Sequence, residues 1–264
     1  MSDWRTYDDV AETYERVHAS RFEEVARDLI DMAAFAENAR VLDVGTGTGV
    51  VAQVASDSGA AVTGIDESVG MLRVARRERP KVPVVAAQAI DLPFGRGRFD
   101  AVIGSFVIAH FNKVETALFD ITRVLRGGGR IAFSSWADGV DAYQQTWREL
   151  IESVVPREML APAYAEAAPW HERFRSRTAF EEALIDAGFR HVRTEVFKYQ
   201  WTYPLDEYLD GLQIWAIGRF VRDMLGESGW ASLRERARAT FTELYPDPLN
   251  DFREVIIATA TKPS

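Results

Sequence analysis

Hydrophobic positions along the chain switch between two spacings. Over residues 8–35 they fall at Val10, Ala11, Tyr14 and Val17, then at Phe22, Val25, Ala26, Leu29 and Ile30, the three-to-four spacing of an amphipathic helix. The stretch from His18 to Ser20 predicts a break into two helices. Beyond it, short apolar runs alternate with helical patterns. Strands are predicted at 40–44, 61–65, 82–87, 99–105 and 129–134, and helices over 50–58, 67–78 and 112–125. Such alternation predicts an α/β fold, a parallel sheet with helices on both faces. A helix over 177–187, closed by Ala187-Gly188-Phe189, leads into a strand at His191–Phe197, and Val255–Ala260 reads as the last strand.

Two segments exceed what the sheet needs. Residues 137–175 carry a helical stripe (Trp147, Leu150, Ile151, Val154) and then a loop marked by Pro156, Pro162 and Pro169. Residues 199–250 read as helical, with Leu205, Tyr208, Leu209, Leu212, Trp215 and Phe220 on one stripe. That second insert holds nine aromatics in 52 residues against 11% over the whole chain, so it packs as a cap. Two readings of those aromatics stay open: the cap's own core, or the wall of an apolar pocket beneath it. The expected organisation is a single domain over 1–264, with a helical lid (1–38), a core (39–136) and cap inserts at 137–175 and 199–250.

Composition narrows the function. The chain has 264 residues, 47% hydrophobic and 27% charged, which suits one large core. No apolar run approaches the roughly 20 residues that span a bilayer, and Met1–Arg5 lacks a signal-peptide pattern, so a cytoplasmic protein without membrane insertion is expected. With no cysteine, disulfides, thiolate nucleophiles and Cys-based metal sites are excluded. A net charge of −9 argues against nucleic acid as a partner. Arg234, Arg236 and Arg238 alternate with Glu235 and alanines as a solvated helix face. The histidines are scattered and no ligand spacing suggests a metal.

The most specific segment runs from Arg40 to Val50. Val41, Leu42 and Val44 form the apolar run of a buried strand. Asp43 interrupts it, then Gly45, Gly47 and Gly49 alternate with Thr46 and Thr48, and a helical pattern begins at Val50 and Val51. Glycines at a strand-to-helix turn let the backbone approach a ligand and adopt positive φ. The helix start offers free N–H groups to anionic atoms. A nucleotide-type cofactor is implied. A dinucleotide fingerprint needs Gly or Ala where Val50 stands, which disfavours an NAD-dependent oxidoreductase, and the Gly-Lys-Ser/Thr of a P-loop is absent.

The Asp-x-Gly-x-Gly-x-Gly series resembles the first motif of class I S-adenosylmethionine-dependent methyltransferases. Ala61–Asp66 resembles their second strand, ending in an acid 21 residues after Gly45. Gln88–Phe94 with Phe99-Asp100 resembles the following acidic and Leu-Pro-Phe segment, with Gln88 where the family often has Asp. Leu125–Ile131 resembles the turn before the fifth strand, with Gly127 in place of the usual proline. Tyr7, Asp8, Ala11 and Tyr14 resemble the opening of the small-molecule enzymes of ubiquinone and menaquinone biosynthesis. The resemblance implies a Rossmann-like, seven-stranded, mostly parallel sheet with helices on both faces and a helical cap, its seventh strand antiparallel between the fifth and sixth. It also implies S-adenosyl-L-methionine as cofactor. Asp43, Gly45, Thr46, Gly47, Gly49 and Ser105 would form its loop, Asp66 would accept from both ribose hydroxyls, and Ser68, Met71, Gln88, Ala89 and Ile90 would surround ribose and adenine. Tyr14 either hydrogen-bonds the cofactor's carboxylate or is a core tyrosine.

The implied reaction is transfer of the sulfonium methyl group to an oxygen or carbon of a small apolar or aromatic acceptor, such as a quinone or natural-product intermediate. The family places acceptor groups beyond the fourth strand, here Phe106 and His110. His110 is the candidate base, since imidazole titrates near neutrality, against a purely structural histidine. His171 reaches the acceptor only if its insert folds over the site, and Trp201 and Tyr203 are candidate pocket walls. His18 lies in the lid and His191 at a strand start, both weaker candidates. Two rivals keep the same motifs: a cyclase-like enzyme that binds the sulfonium without methyl transfer, and a non-enzymatic cofactor-binding protein.

Overall fold

Val41 packs into one apolar cluster of the molecule while Leu42 and Val44 pack into the other, the period-two alternation of a strand covered on both sides. The computed structural model describes residues 6–139 and 141–264; Met1–Arg5, read above for a leader pattern, lies outside the described residues. A 3-10 turn at Asp8–Val10 leads into α1 (Ala11–Ala33), β1 (Arg40–Val44), α2 (Val50–Asp57), β2 (Ala61–Asp66), α3 (Val69–Glu78), β3 (Val84–Ala86) and β4 (Phe99–Ser105). A second 3-10 turn at Ile108–His110 precedes α4 (Val114–Val124), β5 (Leu125–Trp136), α5 (Ala142–Glu152), α6 (Arg157–Ala167), α7 (His171–Phe174) and α8 (Arg177–Asp186). The chain closes with β6 (Arg190–Tyr203), α9 (Leu205–Gly211), α10 (Ala216–Leu244) and β7 (Leu249–Thr261).

The seven strands form one sheet in the order β3-β2-β1-β4-β5-β7-β6. The first five are parallel, and β7 inserts antiparallel between β5 and β6. Leaving β1, the chain builds outward to β2 and β3, then returns to add β4 on the other side, so a crevice opens between the carboxyl ends of β1 and β4. Residues from α1, α2 and the cap cover one face, and α4 and α8 cover the other. Among the described residues no helix is long and apolar enough to cross a membrane.

Three expectations are corrected. The lid is one helix, not two: Val17, His18 and Ala19 are buried and carry α1's apolar face straight through the expected break, with no Gly or Pro there to interrupt it. The proline-marked loop is mostly helix: Pro162 sits inside α6, which forgoes one ladder bond, while Pro156 caps its start. The second insert begins later than residue 199. Tyr199, Trp201 and Tyr203 belong to β6, pairing with Arg253, Asp251 and Leu249 of β7. Their burial alternates with exposed Lys198, Gln200 and Thr202, a strand period that the aromatic density masked.

The cap proper is α5, α6, α9 and α10. Its apolar stripes meet Tyr143, Trp147, Trp230 and Phe241 in mutual edge and tilted ring contacts. The arginines read as a solvated face lie at least partly exposed, with Arg236 exposed, and two of them also tie the helices together: Arg234 pairs with Asp210 and Arg238 with Asp206, both on α9. Gly226, at φ +66°, interrupts α10.

Candidate active site

The crevice begins where β1 gives way to the glycine turn. Gly45 has φ +67°, and a Cβ on it would lie 2.2 Å from Cγ2 of Val107, so the turn can close against the chain after β4 only without a side chain. Gly47 has φ +55° but a Cβ there meets nothing within 4 Å: its missing side chain opens toward space, not toward protein. Gly49, φ +91°, caps the start of α2.

Two carboxyls hold the turn. Asp43 is fully buried and accepts from Thr46 Oγ1 at 2.6 Å; burial pushes its carboxyl up to about 7. Asp66, at the end of β2, accepts the N–H of Gly47 and the N–H of Ser68, both at 2.8 Å, and burial raises it to about 6. Each oxygen of Asp66 keeps a further lone pair. Ser68 caps α3 by accepting from the Met71 N–H at 3.1 Å, and Met71 is buried against Ala11, Val74, Tyr7 and Tyr14. Gln88 is exposed at the rim, its Nε2 3.4 Å from Glu67, with Ala89 and Ile90 half-buried beside it.

Two clamps were not among the sequence candidates. Asp8 accepts from Ser68 Oγ–H and from the Gly70 N–H, each at 2.7 Å, tying the 3-10 turn before α1 to the start of α3. Arg79 donates to the Thr48 carbonyl at 2.9 Å and pairs with Glu15 of α1 at 3.0 Å. Asp8 lay within the quoted opening motif, so its position carried a signal; nothing local marked Arg79.

Across the crevice, Ser105 Oγ lies 2.8 Å from Ser134 Oγ. Phe106 follows at φ +56°, a conformation that costs a non-glycine residue energy and is repaid here by its N–H bond to the Ser134 carbonyl (3.1 Å) and by stacking on Trp136 at 4.2 Å. His110 closes the 3-10 turn. Its Nδ1 lies 2.9 Å from the Ala167 carbonyl, which can only accept, so the proton sits on Nδ1 and Nε2 keeps its lone pair. Burial lowers its basicity to about 4, so it is neutral at physiological pH. Its ring meets Tyr7 edge-on at 6.0 Å. His171 sits half-buried on α7, close enough for its charge to bear on His110, but it does not line the aromatic cavity described next.

Trp201 and Tyr203 project from β6 into a small cavity with His18, Phe22, Trp136 and Trp215, and the paired Asp251 and Arg253 of β7 also line it. Tyr14 stands between that cavity and the glycine turn, edge-on to His18 at 5.6 Å, its phenol held protonated by burial and by Tyr7, Asp66, Glu15 and Asp43. A larger depression, near Arg40, Ser56, Lys81 and Arg98, lies at the opposite, amino ends of the strands; the crevice at the carboxyl ends is where such sheets bind ligands. Among the described residues no group of His, Asp or Glu is placed to hold a metal ion.

The turn, the acid after β2 and the helix starts fit an adenosyl cofactor: the space over Gly47 is unfilled by the described residues, and the Asp66 carboxyl borders it. Comparison with known proteins points the same way. Residues 42–133 match the family model described as a methyltransferase domain. A demethylmenaquinone methyltransferase of Streptomyces avermitilis is 34% identical over 196 residues, covering 70% of this chain and 85% of that protein. A demethylmenaquinone methyltransferase of Renibacterium salmoninarum is 33% identical over 135 residues, covering 50% of this chain and 57% of that protein. This chain thus spans little more than half the length of some of the curated relatives it matches. Among solved structures, a phosphoethanolamine N-methyltransferase of Haemonchus contortus, in complex with S-adenosylhomocysteine, superposes with a TM-score of 0.61 at 17% identity, covering 100% of this chain and 61% of that one.

Proposed function

Because this chain belongs to the class I S-adenosylmethionine-dependent methyltransferases, we propose that it transfers a methyl group from that cofactor to an oxygen or carbon of a small, flat, apolar acceptor, of which a quinol is the model offered by its relatives. The reading rests above all on the glycine turn, where an open face over Gly47 is bordered by Asp66 and the start of α2. When bound, the sulfonium supplies an already activated methyl group, so the protein's task is to align the acceptor and exclude water.

The chain's own residues divide that task. Asp66 takes the ribose hydroxyls on its spare lone pairs while still holding the Gly47 and Ser68 N–H groups. Met71, Ala89 and Ile90 pack the adenine, and Gln88 meets its amino group at the rim. Tyr14, with a phenol that stays protonated, donates to the cofactor's carboxylate. The aromatic walls Phe106, Trp136, Trp201 and Tyr203, with the Asp251–Arg253 pair at the cavity's edge, supply a flat-sided acceptor space. His110 Nε2 takes the proton of an acceptor hydroxyl as the new bond forms, and His171 bears on it from α7. We place this activity in the cytoplasm.

The test is incubation of the purified protein with methyl-labelled S-adenosylmethionine and a panel of phenols and hydroquinones. Label in the organic product supports the reading. Bound cofactor with acceptor conversion but no loss of label replaces it with the cyclase-like reading, in which the sulfonium acts only through its charge.

A further inference from the structure

Tyr14, His18 and Phe22 stand four residues apart on α1 and form one stripe of that helix. Tyr14 is within the field of Asp43 and Asp66 at the glycine turn. Phe22 packs on Phe106 and Trp136 at the ends of β4 and β5. His18 lies between them. Its ring stacks on Phe22 (5.0 Å, 9°), meets Tyr14 and Tyr203 edge-on and lies tilted against Trp215.

His18 is 3% exposed, yet neither of its ring nitrogens has a hydrogen-bond partner among the described residues. Trp201 is 5% exposed, and its Nε1–H has no acceptor either. Both side chains line the same cavity. Buried polar groups in native folds are nearly always paired, and a neutral imidazole offers one donor and one acceptor. Burial, reinforced by Arg21 and Arg253, lowers His18 to about 3, so its accepting nitrogen stays unprotonated at neutral pH. Opposite the ring, α9 presents Gly211, where a Cβ would come 3.7 Å from His18 Nε2.

We infer that His18 fixes a hydroxyl of the acceptor other than the one His110 serves, with the Trp201 N–H as its second contact, and that the acceptor is a flat ring bearing that free hydroxyl. The inference rests on the methyltransferase reading above and specifies the acceptor end of that site. A hydroxyl matches both orphans at once: it donates to the unprotonated imidazole nitrogen and accepts from the indole N–H. A methyl ether has no proton to give. The ring then lies among Phe22, Trp136 and Trp215. The cavity measures ≈ 20 Å³, room for about one water, so binding a ring requires the side chains that line it to move apart.

The test measures equilibrium dialysis of 2-naphthol and 2-methoxynaphthalene against the full chain saturated with S-adenosylhomocysteine. Wild type should prefer 2-naphthol by tenfold or more. His18→Phe, which keeps the stack on Phe22, should abolish the preference while retaining the ether; Trp201→Phe should reduce it and His18→Asn restore part of it. A His18→Phe variant that keeps the preference overturns the inference. So does a wild type that binds the two compounds equally or not at all, or a crystal structure with 2-naphthol in which an ordered water alone spans His18 and Trp201. Should His18→Phe fail to fold in thermal melts, the Asn and Trp201→Phe variants decide, an unchanged preference in both being the overturning result. S-adenosylhomocysteine binding is titrated separately: its absence sinks the methyltransferase reading, whereas its presence without a hydroxyl preference sinks this inference alone.

Discussion

Replacing Asp66 by Asn keeps the side chain's shape and removes its charge. In the structure the carboxylate holds two backbone N–H groups at 2.8 Å, one from each of the two segments that border the cofactor space. An amide can accept only one of them, and it presents an NH₂ where the second acceptor stood. A hydrogen bond to a charged group is worth about 1.5–3 kcal/mol, so affinity for S-adenosylhomocysteine should fall roughly 10- to 150-fold. Charge gives a second signature. The ligand-free carboxyl sits near 6 because it is buried. Wild-type affinity should therefore weaken as pH falls below 6, by up to about tenfold per unit, while the Asp66→Asn variant stays flat. Isothermal titration between pH 5 and 8, with thermal melts at each pH, reads both effects. A folded variant with wild-type affinity, or one with the same pH dependence as wild type, would refute the assignment of Asp66.

Three further outcomes follow from the same geometry. His110→Ala should cut turnover by roughly 10²–10⁴-fold with S-adenosylhomocysteine affinity unchanged; and because burial holds His110 near 4, wild-type kcat should show no inflection near pH 6.5, where an ordinary histidine would place one. Asp43, raised to about 7 from an ordinary 3.8, holds a proton in the folded state that the unfolded chain has already released; its stabilising contribution is full below 3.8 and is lost as pH rises through 7, so Asp43→Asn should melt with a flatter pH dependence over that window, and an equal slope in both proteins would count against a buried Asp43. Asp8→Ala should cost about 1 kcal/mol of stability in chemical denaturation by freeing the Ser68 hydroxyl and the Gly70 N–H, and an unchanged midpoint would show that the clamp contributes nothing.

The parts legible in the sequence are those whose cause is local. The strands at 40–44 and 99–105 carry short apolar runs, each with a single aspartate, whose predicted bounds match the structure, and the glycine turn announces itself because positive φ and a missing Cβ are properties of single residues. The helix break at His18 was misjudged because a polar residue looks like an interruption until its burial among Phe22, Tyr14 and Trp215 is known. Trp201 and Tyr203 were assigned to a helical cap because their aromatic density outweighed their alternation, although their selection as pocket walls did not depend on that assignment. The Arg79 contact with Thr48 joins residues far apart in sequence, and no pattern within either segment encodes it. The seating of His18 against β6 and α9 likewise exists only once the sheet has brought those elements over α1.

The central claim is that the turn from Asp43 to Gly49 is built around an adenosyl cofactor, and the open face of Gly47 gives it the sharpest test. Because a Cβ at that position meets no atom of the described residues within 4 Å, Gly47→Val adds its bulk to the ligand's space, although its φ of +55° also strains the turn, so melts must show that the variant folds. Calorimetric titration of wild type and of this variant with S-adenosylhomocysteine, and of wild type with NAD, is the decisive measurement. The account predicts one-to-one binding of S-adenosylhomocysteine by wild type, much weaker binding of NAD, and no binding by the folded Gly47→Val variant. A wild type that favours NAD, or a folded variant that binds S-adenosylhomocysteine as well as wild type does, would contradict it.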